Sequence, residues 1–142
     1  MNAFVYGTLL FPEVCQKIVG EILIGTPATL LGYRRYEART RQRGNYPAIV
    51  PDAQASVDGL VYFDITEQQA KSLDQFEWIE GQLYHRHGAS VVVSGLVVDV
   101  QIYVAGPELY RRLQEPLQNA WHPLVFQSQE LEWYLGNELS DD

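Results

Sequence analysis

The chain has 142 residues, 46% of them hydrophobic, and this length and composition predict a single folded domain over residues 1–142. Its 18 acidic and 10 basic residues give a formal net charge of −8, which argues against binding to nucleic acid or to an anionic membrane. The lone Cys15 excludes an internal disulfide, and no Cys/His cluster has the spacing of a zinc site.

The sequence carries no sign of a targeting or membrane-spanning segment. Its first residues lack a basic region, and no apolar run approaches the ~20 residues that a membrane span requires. No internal repeat or linker divides the chain. We therefore expect a cytoplasmic protein that binds small molecules or proteins, with a flexible tail from about residue 137.

The first half of the chain predicts short strands and one helix. The helix covers residues 12–19, begins at a proline and ends at Gly20. In the last strand of this half, apolar residues alternate along one face at Val57, Gly59, Val61 and Phe63. The predicted strands are residues 3–6, 28–33, 48–50 and 57–64.

The second half predicts helices and a hairpin. Thr66 and Gln69 have capping-box spacing, which predicts a helix from there to about Phe76. Two β-rich runs, 90–93 and 96–104, flank a two-residue connection that predicts a hairpin. Further helices are predicted to start near residue 106 and to cover residues 129–135. Because strands outnumber helices, we expect an α+β fold with a small mixed, barrel-like β-sheet and peripheral helices.

Tyr6, Gly7, Thr8 and Leu9 form the first segment whose residue types suit chemistry. A glycine after a buried strand lets the backbone turn sharply and approach a ligand. The amides of Thr8, Leu9 and Leu10 could then converge on a carboxylate or on a developing oxyanion. The same pattern also fits an ordinary strand-to-loop turn.

Two glutamates, Glu77 and Glu80, follow the helix predicted from Thr66 to about Phe76. Neighbouring apolar residues such as Phe76, Trp78 and Ile79 could desolvate one of these carboxyl groups and raise its pKa toward the range of a general base. The alternative is a solvated glutamate near a helix end, which is a common arrangement.

Half of the basic residues lie between residues 30 and 51. An anionic substrate could use one of them as a bidentate clamp on a carboxylate. The alternative is a solvated strand edge and loop. These residues are Arg34, Arg35, Arg39, Arg41 and Arg43.

The other candidates for chemistry are weak. His85 and His87 would share one face of a strand, but no third metal ligand stands nearby. No serine has a nucleophile-elbow pattern, and Cys15 lies on a predicted amphipathic helix. The sequence therefore predicts no metal and no covalent nucleophile.

Several segments occur in an order that matches one known family. They are residues 4–9, 31–36, 46–51, 59–62 and 73–77, followed by Tyr84 and Arg86. Together they resemble the gamma-glutamylcyclotransferase-like family, and most closely its avirulence-induced-gene-like branch, over roughly residues 3 to 105. The resemblance implies a compact β-barrel with surrounding helices and a substrate loop formed by the segment Tyr6–Leu9. It also implies one glutamate that acts as acid and base.

The resemblance does not by itself choose between the two glutamates. Aligning on the predicted helix selects Glu77, whereas aligning on Gly81 and Tyr84 selects Glu80. We prefer Glu77 because a helix fixes its anchor rigidly and loops absorb differences in length. Tyr46 and Tyr84 are further expected to line the substrate pocket.

The activity implied by the resemblance is cyclisation of a gamma-glutamyl group to 5-oxoproline with release of an amine, without a cofactor. One alternative is a non-catalytic protein on the same fold that binds a small metabolite or a partner. Another is hydrolysis or acyl transfer to an outside acceptor by the same carboxylate. The sequence leaves the leaving amine and the oligomeric state open.

Overall fold

The computed structural model describes residues 1–40, 44–77 and 84–106 and the single positions 123, 127, 131, 132 and 135, with side chains described outside 37–46. Five strands and two helices lie in these ranges. The strands are β1 (Ala3–Val5), β2 (Thr26–Thr40), β3 (Gly44–Tyr62), β4 (Tyr84–Val93) and β5 (Leu96–Ala105). The helices are α1 (Pro12–Val19) and α2 (Glu67–Phe76), and a short 3-10 turn covers Thr8–Leu10.

The five strands close into a barrel in the order β1-β3-β2-β4-β5. The pairing of β1 with β5 is parallel, and the other four pairings are antiparallel. The hairpin between β4 and β5 turns at Ser94 and Gly95, whose φ angles of 49° and 81° are typical of a two-residue hairpin turn. The predicted α+β class, with a mixed barrel-like sheet and peripheral helices, is confirmed.

The pair formed by β2 and β3 is longer than the sequence predicts. The separate strands expected at 48–50 and 57–64 belong to one strand, because pairing with β2 continues through Pro47 and Pro51. The register shifts between Leu31 and Tyr33, and Gly32 at this bulge has a φ of 85°. The strand predicted at 57–64 ends at Tyr62, two residues earlier than predicted, and Phe63 lies beyond β3 and is exposed.

Both predicted helices of the described ranges are confirmed. The hydroxyl of Thr66 accepts from the Gln69 amide at 3.1 Å, and the Gln69 side chain accepts from the Thr66 amide at 2.9 Å, which is the predicted capping box. The helix predicted to start near residue 106 falls on residues that lie outside the described ranges. Positions 131, 132 and 135 are helical. Among the described residues, no helix is long and apolar enough to cross a membrane.

The barrel wall separates two apolar cores, because side chains on a strand alternate between its faces. The interior core contains Phe4, Tyr6, Ala28, Leu30, Ile49, Val57, Val61, Val91, Val100 and Ile102. The helix-side core packs residues of α1 and α2 against the outer face of the barrel. It contains Ala3, Val5, Leu9, Phe11, Val14, Cys15, Ala48, Tyr62, Ile65, Leu73, Tyr84 and Tyr103.

Candidate active site

A narrow cleft opens where β1 ends, next to the C-terminal end of α2. It encloses about 430 Å³ of empty space, including its open mouth. Among the described lining residues, Glu77 carries the only charged side chain. The described lining consists of Phe4, Val5, Tyr6, Gly7, Thr8, Leu9, Pro47, Phe76, Glu77, Tyr84 and Tyr103.

Two side chains from the barrel hold the ends of the loop Tyr6–Leu9 by its carbonyl groups. The Arg35 guanidinium donates through Nη1 to the Tyr6 carbonyl at 2.7 Å. The buried Tyr62 hydroxyl donates to the Leu9 carbonyl at 2.7 Å. The loop is therefore anchored on β2 and β3, on which these two side chains lie.

The carbonyls between these anchors accept hydrogen bonds from the 3-10 turn. The Leu10 amide donates to the Gly7 carbonyl at 2.9 Å, and the Phe11 amide donates to the Thr8 carbonyl at 3.2 Å. In a trans peptide group the N–H points opposite to the carbonyl of the preceding residue. The amides of Gly7, Thr8 and Leu9 therefore point away from the groups that bind the carbonyls of Tyr6, Gly7 and Thr8. The expectation that the Leu10 amide joins them was wrong, because the Gly7 carbonyl accepts its hydrogen.

Gly7 is required by the approach of β3. A Cβ atom on Gly7 would lie 2.3 Å from Cγ of Pro47, which is far inside the van der Waals contact distance. The absence of a side chain at Gly7 therefore leaves room for the Pro47 ring. The Pro47 carbonyl accepts from the Tyr84 hydroxyl at 2.7 Å, which fixes the surface on which the loop rests.

Glu77 is the C-cap of α2 and is half-buried at the edge of the cleft. Its amide donates to the Leu73 carbonyl at 2.9 Å, so the helix itself sets its position. Burial raises the pKa of the Tyr6 hydroxyl, and the nearby charge of Glu77 raises it further. Glu77 and the loop Tyr6–Leu9 therefore share the cleft. Glu80 lies outside the described residues.

Two of the lining tyrosines, Tyr6 and Tyr84, use their hydroxyls to bind backbone groups of the protein. The Tyr6 hydroxyl donates to the Tyr103 carbonyl. The Tyr84 hydroxyl donates to Pro47, as described above. These two side chains therefore present their rings to the cleft. The side chain of Tyr46 lies outside the described residues.

The two described arginines of the basic stretch do not line the cleft. Arg34 forms an exposed ion pair with Asp52, with 2.8 Å between Nε and Oδ2. Arg35 points toward the end of β1, where its Nη1 also donates to the Asp58 carbonyl at 3.4 Å. Burial lowers the pKa of Arg35, although an arginine keeps its charge in proteins. The side chains of Arg39, Arg41 and Arg43 lie outside the described residues.

The described residues hold no group of three or more His, Cys, Asp or Glu that could bind a metal ion. His85 and His87 both lie on β4, and the centroids of their rings are 6.1 Å apart. Cys15 is buried in the helix-side core, and burial raises the pKa of its thiol. A raised pKa leaves the thiol protonated and weakly nucleophilic.

Two tyrosines near the cleft had no role in the sequence interpretation. Tyr62 holds the Leu9 carbonyl, and Tyr103 lines the cleft and donates to Asp74 at 2.7 Å. The sequence does indicate which way these two tyrosines face. They directly follow the interior residues Val61 and Ile102, and because side chains alternate along a strand, they are predicted to face outward. Their partners are distant in sequence, so no local pattern identifies them.

Comparison with known proteins places the chain among one group of relatives. The family model described as "Gamma-glutamyl cyclotransferase, AIG2-like" matches residues 3–123. AIG2-like protein C of Arabidopsis thaliana is 33% identical over 101 residues, which are 71% of this chain and 55% of that protein. The chain thus spans little more than half the length of the curated relatives it matches.

Solved structures share the fold of this chain. A solution structure of an Arabidopsis thaliana protein aligns with a TM-score of 0.65 and 28% identity, covering 94% of this chain and 76% of that one. A structure named gamma-glutamyl cyclotransferase aligns with a TM-score of 0.67 and 15% identity, covering 98% and 85% of the two chains. At that identity the second likeness concerns the fold alone. The family match confirms the resemblance inferred from the sequence: the chain belongs to the AIG2-like gamma-glutamylcyclotransferase family.

Proposed function

We propose that the protein is a gamma-glutamylcyclotransferase, which converts the gamma-glutamyl group of a small peptide or amine to 5-oxoproline and releases the amine. One observation carries this proposal. Glu77, the one charged side chain of the described lining, shares a narrow cleft with the amides of the loop Tyr6–Leu9. A proton acceptor and a set of backbone donors are the two parts that the reaction needs.

Glu77 acts as the general base and then as the general acid. The α-amine of a gamma-glutamyl compound is protonated near neutral pH, so it must lose a proton before it attacks the γ-carbonyl. Glu77 accepts that proton, the new C–N bond closes a five-membered lactam, and the original C–N bond breaks. Glu77 then returns the proton to the leaving nitrogen, and the second proton that the attacking nitrogen loses on becoming the lactam N–H passes to the released amine, which departs as an ammonium ion. A positioned acid and base of this kind accelerates a reaction by about 10²- to 10⁴-fold.

The surroundings of Glu77 favour this role. The rings of Phe76, Tyr84 and Tyr103 line the same cleft. A poorly hydrated carboxylate is a stronger proton acceptor than one in bulk water. The helix end also holds Glu77 in place, so its carboxylate needs little reorganisation during the reaction.

The amides of Gly7, Thr8 and Leu9 bind negative charge on the substrate. They hold either the α-carboxylate of the gamma-glutamyl group or the oxygen of the γ-carbonyl as it becomes negative. Their carbonyls are anchored on the protein, so the donors are fixed before the substrate arrives. The narrow cleft then keeps the substrate folded with its amine near its own carbonyl, which replaces an encounter in solution. These steps use no cofactor.

The test is to incubate the purified protein with a panel of gamma-glutamyl peptides and gamma-glutamylamines and to quantify 5-oxoproline and the free amine by mass spectrometry. We expect the two products in equal amounts. Glu77→Gln should lower turnover by about 10²- to 10⁴-fold. Glu67→Gln is the matched control, because Glu67 is exposed in the first turn of the same helix; we expect it to leave turnover unchanged.

Other results would assign the cleft differently. Loss of turnover in Glu80→Gln but not in Glu77→Gln would move the acid and base role to Glu80. Free glutamate in place of 5-oxoproline would indicate hydrolysis by an activated water. Binding of gamma-glutamyl compounds without any product would favour the non-catalytic alternative, in which the cleft only holds an anionic metabolite.

A further inference from the structure

We propose that Asp74 is a positioning residue that holds the C-terminal end of α2 against β4 and β5 and so keeps Glu77 in the cleft. This inference rests on the proposed function, because it assigns Asp74 a role that acts through Glu77. Asp74 does not line the cleft itself. It lies one helical turn before Glu77, so a contact that fixes Asp74 also fixes the turn that carries Glu77.

Both oxygens of the Asp74 carboxylate are bound. Arg86 donates through Nη1 to Oδ2 at 2.8 Å and to Oδ1 at 3.0 Å. The Tyr103 hydroxyl donates to Oδ1 at 2.7 Å. Three contacts from two side chains fix the carboxylate in direction as well as in distance.

The two donors come from neighbouring strands at the same level of the barrel. Arg86 of β4 and Tyr103 of β5 are direct cross-strand partners, so their side chains stand on the same face of the sheet. Asp74 therefore joins α2 to both strands of the β4–β5 hairpin at one point. We call this contact, formed by Asp74, Arg86 and Tyr103, the helix clamp.

The helix clamp also reaches the opposite side of the cleft. The ring of Tyr103 lines the cleft, and its carbonyl accepts from the Tyr6 hydroxyl at the start of the substrate loop. Burial, the bond to Asp74 and the charge of Glu77 all raise the pKa of the Tyr103 hydroxyl, so Glu77 lies close to this residue. One residue of β5 is thus bound to the helix on one side and to the loop on the other.

A second ion pair of the molecule provides a matched comparison. Arg34 and Asp52 also approach to 2.8 Å, their side chains keep 49% and 28% of their accessible surface, and neither lines the cleft. Both ion pairs are partly exposed: the Arg86 and Asp74 side chains keep 36% and 29% of their accessible surface. Removing the carboxylate of Asp74 and that of Asp52 in separate variants distinguishes an effect specific to the helix clamp from the general effect of losing an ion pair.

The experiment compares Asp74→Asn, Asp52→Asn, Glu77→Gln and the double variant of Asp74 and Glu77. We expect Asp74→Asn to lower kcat by about 10- to 100-fold, as a misplaced reacting group does, with KM within about twofold. Asp52→Asn should behave like the wild type. In the Glu77→Gln background, Asp74→Asn should lower the residual kcat no further, because the residue through which it acts is already lost.

A second measurement does not depend on turnover. The Glu77 amide donates to the Leu73 carbonyl, so its hydrogen exchange reports opening of the last turn of α2. We expect Asp74→Asn to accelerate this exchange by about tenfold and Asp52→Asn to leave it unchanged. Tyr103→Phe keeps the ring and removes one contact of the helix clamp. If Asp74→Asn folds poorly, Tyr103→Phe is the milder variant, and we expect a smaller loss of kcat and a smaller acceleration of exchange in it.

Three outcomes would overturn the inference. They are an unchanged kcat in Asp74→Asn, an equal loss in the presence and absence of Glu77, and unchanged exchange of the Glu77 amide in both clamp variants. Absence of turnover in the wild type would instead remove the proposed function. In that case the exchange comparison would still decide whether the helix clamp holds the end of α2.

Discussion

The two cores on either side of the barrel wall differ in what their side chains do. The interior core is mainly aliphatic, and Tyr6 is its one described residue with a hydroxyl. The helix-side core contains three buried tyrosines, and each donates its hydroxyl to a group next to the cleft. These pairs are Tyr62 with Leu9, Tyr84 with Pro47 and Tyr103 with Asp74. Apart from Phe4 and Tyr6, which line the cleft, the interior core stabilises the barrel, whereas the helix-side core also positions the cleft.

The difference arises from neighbouring residues of the same strands. Val61 and Ile102 point into the barrel, and Tyr62 and Tyr103, one residue further on, point toward the helices. Because the side-chain period of a strand is two, a shift of one residue in the pairing would exchange these faces. The register of the barrel therefore places the hydroxyls that hold the candidate site.

Among the changes that distinguish the two cores, we expect Ile102→Ala to have the largest effect on stability. This change removes a fully buried side chain from the interior core, and such changes lower the free energy of unfolding by about 2–5 kcal/mol. Turnover per folded molecule should stay close to that of the wild type. Urea denaturation gives the stability, and kinetics at a temperature where the variant is folded give kcat. A fall in kcat comparable to that of Tyr84→Phe would show that the two cores are not separate in function.

A smaller loss of stability with a larger loss of activity is expected from Tyr84→Phe. The change leaves the buried Pro47 carbonyl without this donor, which costs about 1–3 kcal/mol. Because Pro47 supports Gly7, the loop should shift and turnover should fall. Tyr33→Phe is the control, since Tyr33 packs against the interior core. Equal kinetic effects in the two variants would contradict a special role of the helix-side hydroxyl.

Local signals in the sequence were sufficient for several elements. The capping box at Thr66 and Gln69 and the turn at Ser94 and Gly95 involve residues close in the chain, so composition and spacing identify them. The same holds for the helix–loop boundary at Glu77. The family resemblance added the order of segments, which no single local pattern contains.

Long-range pairing could not be predicted from the sequence. The strand β3 continues through two prolines because β2 pairs with it along its length, and no local pattern contains that pairing. The hydroxyl contacts of the cleft join residues far apart: Tyr62 and Leu9 are 53 residues apart, and Tyr103 and Asp74 are 29 apart. Such contacts exist only once the barrel has closed in one register.

The mildest way to test the comparison is to raise the pH. Burial raises the pKa of Tyr62, and the neighbouring Cys15 adds to this, whereas tyrosines of the unfolded chain ionise near pH 10. The fold therefore retains protons that the unfolded chain loses, so this stability is fully present below about pH 10 and is lost as the pH rises further. Tyr62→Phe should weaken the decline, by at most about 1.4 kcal/mol per pH unit for the one proton removed. Urea unfolding between about pH 8.5 and 11 measures both slopes around the tyrosine range, and parallel curves would show that Tyr62 does not contribute.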